Sequence, residues 1–590
     1  MTILQALNGY YDRMAARGEA EAPGFSREKI SFAITLSDSG KPLEVVDLRA
    51  VSGKKLVARV LEVPAAIKRA SGIAPNLLWD KTAYVLGRTG GEGHRTFDEH
   101  AAFKTKHLKL LSDATDVGLL ALRRFIEGWQ SERFDASPFS AEMLDANVVF
   151  RWEGDRDFLH ERAAAKDLIA HQTGEGTTAF CLVTGSEAPV RRLHPSIKGV
   201  QGAQTAGASL VSFNLDAFSS YGKEQGANAP TSEAAAFRYG AALNRMLDRG
   251  SRNRLRRGIG DATVAFWADT SDTVDEAAAE AAEATFVLFA DPPDRANDDE
   301  DAQEAIKISD ALDKLAAGRP VEELNLGLRS GTRFHVLGLA PNAARLSVRY
   351  WLDDSFEAFA RRLAEHHRDL AIEPRPRGWK SKPPSISRLL VKTTALQEKF
   401  DNIPPLLAGE VTRAVLAGSP YPRTLLTAAI TRLRAGDDPG SGWHAAVIKA
   451  CLNRTEKEKA PVALEPDNPS TAYQLGRLFY VLESAQRAAL GRVNATIADR
   501  YYGAASATPA RVFGPLLRGL RNHVSDARKR GQGGWIEPKV SEIMSKLPPN
   551  LPPTLRLEDQ GRFAVGYYHE RGTRPAKGST TDETEGETVQ

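Results

Sequence analysis

The sequence predicts an α+β protein: a mixed N-terminal α/β region with antiparallel sheets, followed by an all-α C-terminal helical bundle. Three observations support this fold class. Short strand-like runs separated by Gly- and Pro-containing turns follow the first helix. Helical spacing of apolar residues dominates after residue 386. The length of 590 residues exceeds what one hydrophobic core usually serves, so we expect more than one domain.

The first domain, with mixed α+β structure, is predicted over residues 1–146. It begins with an amphipathic helix at Thr2–Arg17, in which apolar residues recur near one face. Three strand-like runs follow, at Ile30–Leu36, Leu43–Leu48 and Lys55–Val63. Turn-forming residues lie between these runs, so we predict an antiparallel meander.

A second mixed α/β region is predicted over residues 147–371, with polar loops and an acidic insertion. A helix at Ser355–Leu370 closes this region. Its strands are expected at Ala179–Val183, Ala208–Phe213, Thr263–Ala268, Thr285–Phe289, Arg333–Leu337 and Arg345–Trp351. Residues 372–385 contain four prolines among basic residues, which predicts a linker.

The C-terminal part, residues 386–560, predicts a basic helical bundle, because its periodic stretches all follow helical spacing. One further strand is expected at Arg562–Tyr568, where aromatic residues cluster. The final residues, 572–590, are poor in apolar side chains and are expected to be disordered.

Charge is distributed unevenly along the chain. The formal net charge is only +3. Residues 272–319 nevertheless carry fourteen acidic and four basic side chains, whereas residues 380–536 carry twenty-three basic and twelve acidic ones. A basic module of this kind is typical of phosphate binding. Three interpretations of the acidic run 291–304 stay open: a docking surface for another protein, a surface that repels DNA from the wrong face, or a solvated insertion.

Several classes of protein are excluded by composition. No run of about 18 apolar residues occurs, which excludes a membrane-spanning helix. The first residues form an amphipathic pattern rather than a secretion signal, so we expect a cytoplasmic protein. Only two cysteines occur, Cys181 and Cys451, which excludes a disulfide framework and a four-cysteine zinc site. We expect no metal and no cofactor.

No catalytic residues are predicted. The phosphate-loop pattern G-x-x-x-x-G-K-[ST] and the nucleophile-elbow pattern G-x-S-x-G are absent. Two hypotheses stay open: a non-catalytic nucleic-acid-binding protein, and a nuclease or other phosphoryl-transfer enzyme with an unrecognised site. Metal-dependent phosphoryl transfer needs carboxylates held together in a folded site. The dense carboxylate run 291–304 lies in Pro- and Asn-rich sequence, which favours the binding protein.

Two polar segments lie between predicted elements. The first, residues 68–80, follows a strand and contains two cations, an amide and an indole. Cations can hold phosphates, and an amide can pair with a base edge because it offers both a donor and an acceptor. The candidate nucleic-acid contacts of this segment are Lys68, Arg69 and Asn76.

The second polar segment covers residues 191–214 and 219–230. Its glycines allow the backbone to approach a ligand closely. Its lysines can meet phosphates, while its amide and hydroxyl groups can reach base edges. The alternative is a long loop held by its own hydrogen bonds. The candidate contacts are Lys198, Gln201, Gln204, Ser209, Asn214 and Lys223.

A basic stripe is predicted on one helix of the bundle, Pro509–Lys529. Arg518, Arg521 and Arg528 fall within about 80° of one another at about 100° per residue. Lys529 extends the positive charge at the helix end. Such a stripe can follow a phosphodiester backbone without reading bases, although an ordinary solvated helix face has the same pattern.

Stretches spread over nearly the whole chain resemble one protein family. They are ILQAL at 3–7, SGIAPNLLWDKTAYVLG at 71–87, CLVTGSEAPVRRLHPSIKGVQGAQTAGASLVSFNLDAFSSYGKEQGANAP at 181–230, GDATVAFWA at 260–268, RYYGAASATPARVF at 500–513 and RFAVGYYHERG at 562–572. Through these stretches the chain resembles the large subunit of the type I-C CRISPR interference complex (Cascade), the Csd-type family. The stretch at 181–230 is the longest and the most specific.

The resemblance implies a subunit of an RNA-guided complex that lies near the 5′ handle of the crRNA. It implies recognition of the protospacer-adjacent motif (PAM) in double-stranded DNA, help in forming the R-loop, and docking of a separate helicase–nuclease. The implied partners are crRNA, target DNA with its displaced non-target strand, and the backbone, crRNA-processing and small subunits of Cascade. The predicted bundle resembles a small subunit.

Under this resemblance, the two polar segments are the predicted PAM contacts, and the basic stripe is the predicted path of the displaced strand. Lys198 is expected to hold phosphate and Gln204 to read one PAM position. The sequence leaves open the PAM, the base that each residue meets, the stoichiometry, and whether a separate C-terminal product is made. No methionine occurs from 247 to 543, so such a product needs a non-ATG start.

Overall fold

The computed structural model describes most of the chain. The described residues are 1–53, 55–67, 69, 72–171, 177–213, 215–271, 274–291, 307, 310–324, 327–376, 378–379, 384–457, 459–491 and 494–573. The chain divides into two units. Unit 1 comprises residues 1–199, 203–251 and 342–347, and unit 2 comprises residues 200–202 and the described residues within 252–341 and 348–590.

Unit 1 contains short strands and mostly short helices. Its strands are β1 (Phe25–Ile30), β2 (Phe32–Leu36), β3 (Pro42–Asp47), β4 (Ala50–Ser52), β5 (Lys55–Val57), β6 (Arg59–Pro64), β7 (Trp79–Lys81), β8 (Asn147–Trp152), β9 (Thr178–Phe180), β10 (Glu187–Pro189), β11 (Ser196–Ile197) and β12 (Ala208–Ser209). Its helices are α1 (Ile3–Ala16), α2 (Thr82–Leu86), α3 (Thr96–Leu110), α4 (Val117–Gly128), α5 (Ala163–His171) and α6 (Glu233–Leu247).

A four-stranded sheet of order β3–β2–β8–β7 organises unit 1. The pairs β2–β3 and β7–β8 are antiparallel, whereas β2–β8 is parallel. Of the predicted meander only the β2–β3 pair forms, because residues 55–63 divide into β5, which pairs with β4, and β6, which pairs with β1. Because β8 pairs with β2 along its whole length, the predicted domain boundary at 146/147 falls inside unit 1. The strands β1 and β6 form a separate antiparallel pair, so the predicted run 30–36 is divided at Ser31.

Helix α4 shows how the sequence builds the core of unit 1. The carboxylate of Asp116 accepts the Leu119 N–H at 3.0 Å and caps the helix N-terminus. The apolar residues of α4 recur at helical spacing, so one face is buried against the sheet. The ring of Phe125 lies 5.7 Å from that of Phe150 on β8. This packing fixes the helix against the central strand.

Unit 2 contains a few longer strands and a large set of helices. Its strands are β13 (Thr263–Ala268), β14 (Arg333–Asn342) and β15 (Arg345–Ser355). Residues 342–347, where β14 ends and β15 begins, are assigned to unit 1. The helices of unit 2 are α7 (Glu276–Ala290), α8 (Phe356–Leu370), α9 (Ile386–Val391), α10 (Pro405–Ala417), α11 (Arg423–Arg434), α12 (Trp443–Thr455), α13 (Thr471–Leu490), α14 (Ile497–Ala507), α15 (Pro509–Lys529), α16 (Ile536–Met544) and α17 (Leu557–Gly572).

One continuous hydrophobic core runs through unit 2, from Leu255 to Tyr568. The described part of the predicted linker belongs to this core: Trp379 is buried and meets Trp443 edge-on, with ring centroids 5.5 Å apart. The Tyr568 hydroxyl also donates to the Pro374 carbonyl at 2.6 Å. Residues 372–376 therefore pack against the bundle, and the core of unit 2 continues across the predicted linker.

The predicted fold class is confirmed: small, mainly antiparallel sheets lie in the N-terminal half and the C-terminal region is helical. Two predicted strands are wrong. Thr285–Phe289 lies in α7, where a preceding alanine-rich stretch favours helix and the aromatic residues are buried at helical spacing. Arg562–Tyr568 lies in α17, which packs so closely on α13 that a Cβ at Gly566 would stand 2.2 Å from the Tyr473 carbonyl oxygen.

Two further predictions lie largely outside the described residues. Of the acidic run 291–304, only Asp291 is described, and of the expected disordered tail only Gly572 and Thr573 are. Among the helices of the described residues, none has the length and apolar character needed to cross a membrane.

Candidate nucleic-acid interface

The first polar segment is closed by a buried carboxylate. Asp80 is only 1% exposed, and its side chain forms an ion pair with the guanidinium of Arg69. The Nε of Arg69 donates to the Ala74 carbonyl at 2.6 Å, and the guanidinium lies 4.0 Å from the ring centre of Tyr84. Arg69 thus uses its charge to hold the segment together. Lys68 lies outside the described residues.

Asn76 also faces inwards. Its Oδ1 accepts the Ile67 N–H at 2.9 Å, and its own N–H donates to Asp80 Oδ2 at 2.8 Å. The side chain is buried, and its oxygen is occupied by a backbone N–H of the segment's own chain. A nucleic-acid role for Asn76 and Arg69 stays a prediction, and it would require the segment to rearrange.

A buried histidine supports the same segment. The Leu78 N–H donates to His107 Nε2 at 2.9 Å, so Nδ1 carries the proton and donates to the Phe103 carbonyl at 2.8 Å. Leu78 has a φ of 59°, a conformation that is uncommon for a residue with a Cβ. Burial lowers the pKa of His107 to about 4, which keeps the ring neutral at pH 7.

In the second polar segment, Lys198 and Ser209 are engaged in the fold. The Nζ of Lys198 lies 2.9 Å from both carboxylate oxygens of Glu28, and its N–H donates to Asn244 Oδ1 at 2.7 Å. Ser209 is buried, and its N–H donates to the Ala344 carbonyl at 3.0 Å. The carboxylate of Glu28 therefore partly neutralises the charge of Lys198 in the absence of nucleic acid.

Three other candidates present their side chains to solvent. Gln201, in unit 2, is anchored by its N–H, which donates to Thr263 Oγ1 at 2.9 Å, while its side chain is exposed. Gln204, in unit 1, begins a turn in which its carbonyl accepts the Gly207 N–H at 2.9 Å, and its side chain is also exposed. Lys223 is exposed as well, and Asn214 lies outside the described residues.

Helix α15 carries the basic stripe as predicted. Arg518 and Arg521 are exposed, and within the described residues their guanidinium groups have no carboxylate partner. Arg528 pairs with Glu537, and Lys529 pairs with Asp526 at 2.9 Å. The apolar side of the helix is buried against the bundle core through Phe513, Leu520, Val524 and Ala527.

The stripe is longer than sequence reasoning suggested. Arg511, one heptad before Arg518, is also exposed and falls within about 20° of it around the helix axis. Its seven-residue spacing is the signal that could have revealed it. The stripe is defined here as Arg511, Arg518, Arg521, Arg528 and Lys529, and it lies opposite the buried face. One fully exposed aromatic side chain, Tyr221, was also missed in the second polar segment.

Comparison with known proteins identifies the family. Within the described residues, no group of three or more His, Cys, Asp and Glu side chains is placed to hold a metal ion. No curated protein matches the chain. The family model described as CRISPR-associated protein (Cas_Csd1) matches residues 7–574, which is nearly the full length. The chain therefore belongs to the CRISPR-associated Cas_Csd1 family.

Proposed function

We propose that the chain is the non-catalytic large subunit of a type I-C CRISPR surveillance complex. In this role it binds near the 5′ handle of the crRNA, recognises the PAM in double-stranded DNA, promotes R-loop formation and docks the helicase–nuclease. Family membership supports a CRISPR setting. The observation that carries the nucleic-acid role is the exposed basic stripe of α15, which lies on the side of the helix opposite its buried face.

The stripe is suited to binding the phosphates of a DNA strand without contacting its bases. Its arginines lie along one side of a 21-residue helix, so they can follow successive phosphates. The fold supplies rigidity, because the opposite side of α15 is packed into the core of unit 2. R-loop formation is nearly balanced in free energy, so even weak binding of the displaced strand shifts the equilibrium towards the R-loop. The non-target strand is the ligand we assign to this surface.

PAM reading is assigned to the exposed amides. Gln201 and Gln204 each combine an anchored backbone with an exposed side chain that offers a donor and an acceptor. Lys223 supplies an exposed cation in the same polar segment. Amides read base edges and cations hold the backbone, so Gln204 and Lys223 of unit 1 offer both kinds of contact that a PAM reader needs.

The stripe is tested by reversing its unpaired charges. In the complex assembled with crRNA, R518E/R521E should retain PAM-duplex binding. On linear DNA the variant should form R-loops more slowly than the wild type, and this slowing should be smaller on negatively supercoiled DNA. Arg528 is left unchanged, because its substitution would also break the ion pair with Glu537.

The matched control for this test is R434E/R500E. It makes the same charge change at two exposed arginines on other helices of unit 2. Circular dichroism checks that both variants are folded. R-loop kinetics of R518E/R521E on linear DNA equal to those of the wild type, or slowed equally in the control, would remove the stripe from the mechanism.

A further inference from the structure

A tight turn in unit 1 holds a tyrosine in a strained conformation. Ser220 and Lys223 form an antiparallel bridge, with the Lys223 N–H donating to the Ser220 carbonyl at 2.9 Å. The two residues between them, Tyr221 and Gly222, both have positive φ, 52° and 69°. Two-residue turns with two positive φ values favour Asn, Asp or Gly at the first position. A bulky aromatic side chain there is unfavourable for folding.

The turn is held rigidly from behind by Asn228. Its Nδ2 donates to the carbonyls of Lys223 at 3.0 Å and Gln225 at 3.1 Å, and its Oδ1 accepts the Ser220 N–H at 3.2 Å. One amide thus satisfies three backbone groups around the turn. The position of Tyr221 is set by this framework rather than by contacts of its own ring.

Gly226 fixes the turn to the rest of the polar segment. Its N–H donates to the Arg192 carbonyl at 3.1 Å, and a Cβ at this position would stand 2.3 Å from the Arg191 carbonyl oxygen. Only glycine allows this approach. The contact brings the backbone of Arg192 beside the base of the turn, and the Arg192 side chain is exposed.

The outcome is a tyrosine that is 99% exposed. Buried or half-buried positions are usual for tyrosine, because its ring carries a large apolar area. At Tyr221, the backbone strain and the exposure of the ring are both unfavourable for the free energy of folding. Rigid, exposed aromatic side chains are a feature of surfaces that bind a partner.

The surroundings of Tyr221 favour a nucleobase over a protein surface. Its sequence neighbours are small or charged: Ser219, Ser220, Gly222, Lys223 and Glu224, all exposed. An aromatic hot spot for a protein is normally enclosed by other contacts that exclude water. A single ring with an exposed lysine two residues away, and the backbone of exposed Arg192 at the base of the turn, matches the pattern of single-stranded nucleic-acid binding, in which bases stack on aromatic rings while cations hold the phosphates.

We propose that Tyr221 stacks on an unpaired nucleobase, with Lys223 and Arg192 contacting the flanking phosphates. The proposal deepens the proposed function and rests on it, because it names the contact that this turn makes with nucleic acid. A ring on a turn reaches a base face only where the base stack is open, as at a junction between paired and unpaired strands. The base belongs either to the target DNA or to the crRNA.

The test compares Tyr221→Ala, Tyr221→Phe and Tyr221→Trp in the complex assembled with crRNA. Two measurements separate the sources of the base: affinity for a PAM-containing target duplex, and affinity of the protein components for crRNA. We expect Tyr221→Ala to weaken one of these about 5- to 150-fold, the range of one lost stacking contact. The Phe and Trp variants should stay within a few-fold of the wild type, because both keep an aromatic face.

The matched control is Phe97→Ala. Phe97 is 85% exposed in the first turn of α3, so the substitution removes an equally exposed ring elsewhere in unit 1. It should leave both affinities unchanged. A 2-aminopurine probe is then placed in the nucleic acid, DNA or crRNA, whose affinity falls in Tyr221→Ala. Its fluorescence should be quenched by the wild type and less quenched by Tyr221→Ala.

A stability measurement excludes a structural role for the ring. Tyr221→Gly removes both the ring and the strain of positive φ, so the thermal midpoint should be unchanged or higher while nucleic-acid affinity falls. A lower midpoint overturns the proposal, because the ring would then support the fold. Unchanged affinity of Tyr221→Ala in both arms also overturns it, as does equal loss in Tyr221→Ala and Tyr221→Phe, which would assign the effect to the hydroxyl. If the wild-type complex fails to bind target DNA, the proposed function fails instead.

Discussion

The two polar segments use similar side chains in opposite ways. In the first segment, the guanidinium of Arg69 pairs with the buried carboxylate of Asp80, and the side-chain Oδ1 of Asn76 accepts the Ile67 N–H. In the second segment, the side chains of Gln204 and Lys223 are exposed. The difference follows from Asp80, because a buried carboxylate must be paired and therefore binds the nearest cation and backbone N–H groups. A polar loop that contains a buried carboxylate is thus more suited to stabilising the fold than to binding a ligand.

The largest expected effect is the loss of Asp80. Asp80→Ala leaves the Arg69 guanidinium and the Asn76 N–H without their shared acceptor. We expect the free energy of unfolding to fall by about 3–5 kcal/mol, the usual cost of breaking a buried ion pair on one side. Chemical denaturation measures the change.

The control for Asp80 is Asp47→Ala. Asp47 also pairs with an arginine, Arg49, but on the surface, where its side chain is 43% exposed. Exposed pairs contribute at most about 1 kcal/mol. Equal effects at both positions would contradict the view that the first segment is held by a buried carboxylate.

The second prediction concerns pH and His107. The folded pKa is about 4 and the unfolded value is about 6.5, so between these values only the unfolded chain takes up the proton. Stability is therefore complete above pH 6.5 and is lost as the pH falls towards 4, by up to about 3 kcal/mol. His107→Gln keeps an acceptor for the Leu78 N–H but cannot be protonated.

Denaturation of the wild type and His107→Gln at pH 7 and pH 5 measures this difference. The variant is expected to be less stable than the wild type at pH 7, and the difference between their free energies of unfolding should be smaller at pH 5. A difference that is constant or larger at pH 5 would show that His107 does not stay neutral in the folded state.

The third prediction separates folding from binding. Asn76→Ala should lower the free energy of unfolding by about 0.5–1.5 kcal/mol, because it removes the part-buried hydrogen bond that the Ile67 N–H donates to Asn76 Oδ1. Gln204→Ala should leave stability within about 0.5 kcal/mol and relax the preference at one PAM position by about 1–3 kcal/mol. Denaturation and binding to a PAM library are measured for both. The opposite pattern would exchange the roles of the two segments.

The smallest expected effect distinguishes two lysines of the second segment. Lys223→Ala should lower the slope of log K against log salt by about one, because an exposed cation releases one counterion on binding. Lys198→Ala should change the slope less, because Glu28 already neutralises its charge. Titrations of the assembled complex at several salt concentrations give both slopes. A larger change for Lys198 would show that it exchanges Glu28 for a phosphate.

The sequence predicted the fold class and the placement of the arginines along one side of α15, because both depend on local periodicity. It did not distinguish strand from helix at 285–289 and 562–568. There nearly every side chain is buried, so neither alternation nor a polar face marks the element. The inward direction of Arg69 could not be predicted either, since it depends on where Asp80 lies in the fold.

Contacts that are distant in sequence explain the remaining differences. Lys198 meets Glu28, which is 170 residues away, so no local pattern reveals the pair. The predicted linker is packed because Tyr568, 194 residues further along, donates to Pro374. Arg511 could have been found from its heptad spacing to Arg518. The exposure of Tyr221 could be suspected only from the adjacent glycine, which marks a tight turn.

The most direct test of the central claim is PAM selection with and without this chain. The crRNA-containing complex is assembled in both forms, and each is subjected to an electrophoretic shift on duplexes with randomised flanking triplets. The account predicts that the complete complex selects a small set of triplets and that the complex lacking the chain selects none. The same triplet preference in both complexes would contradict the claim that this subunit reads the PAM.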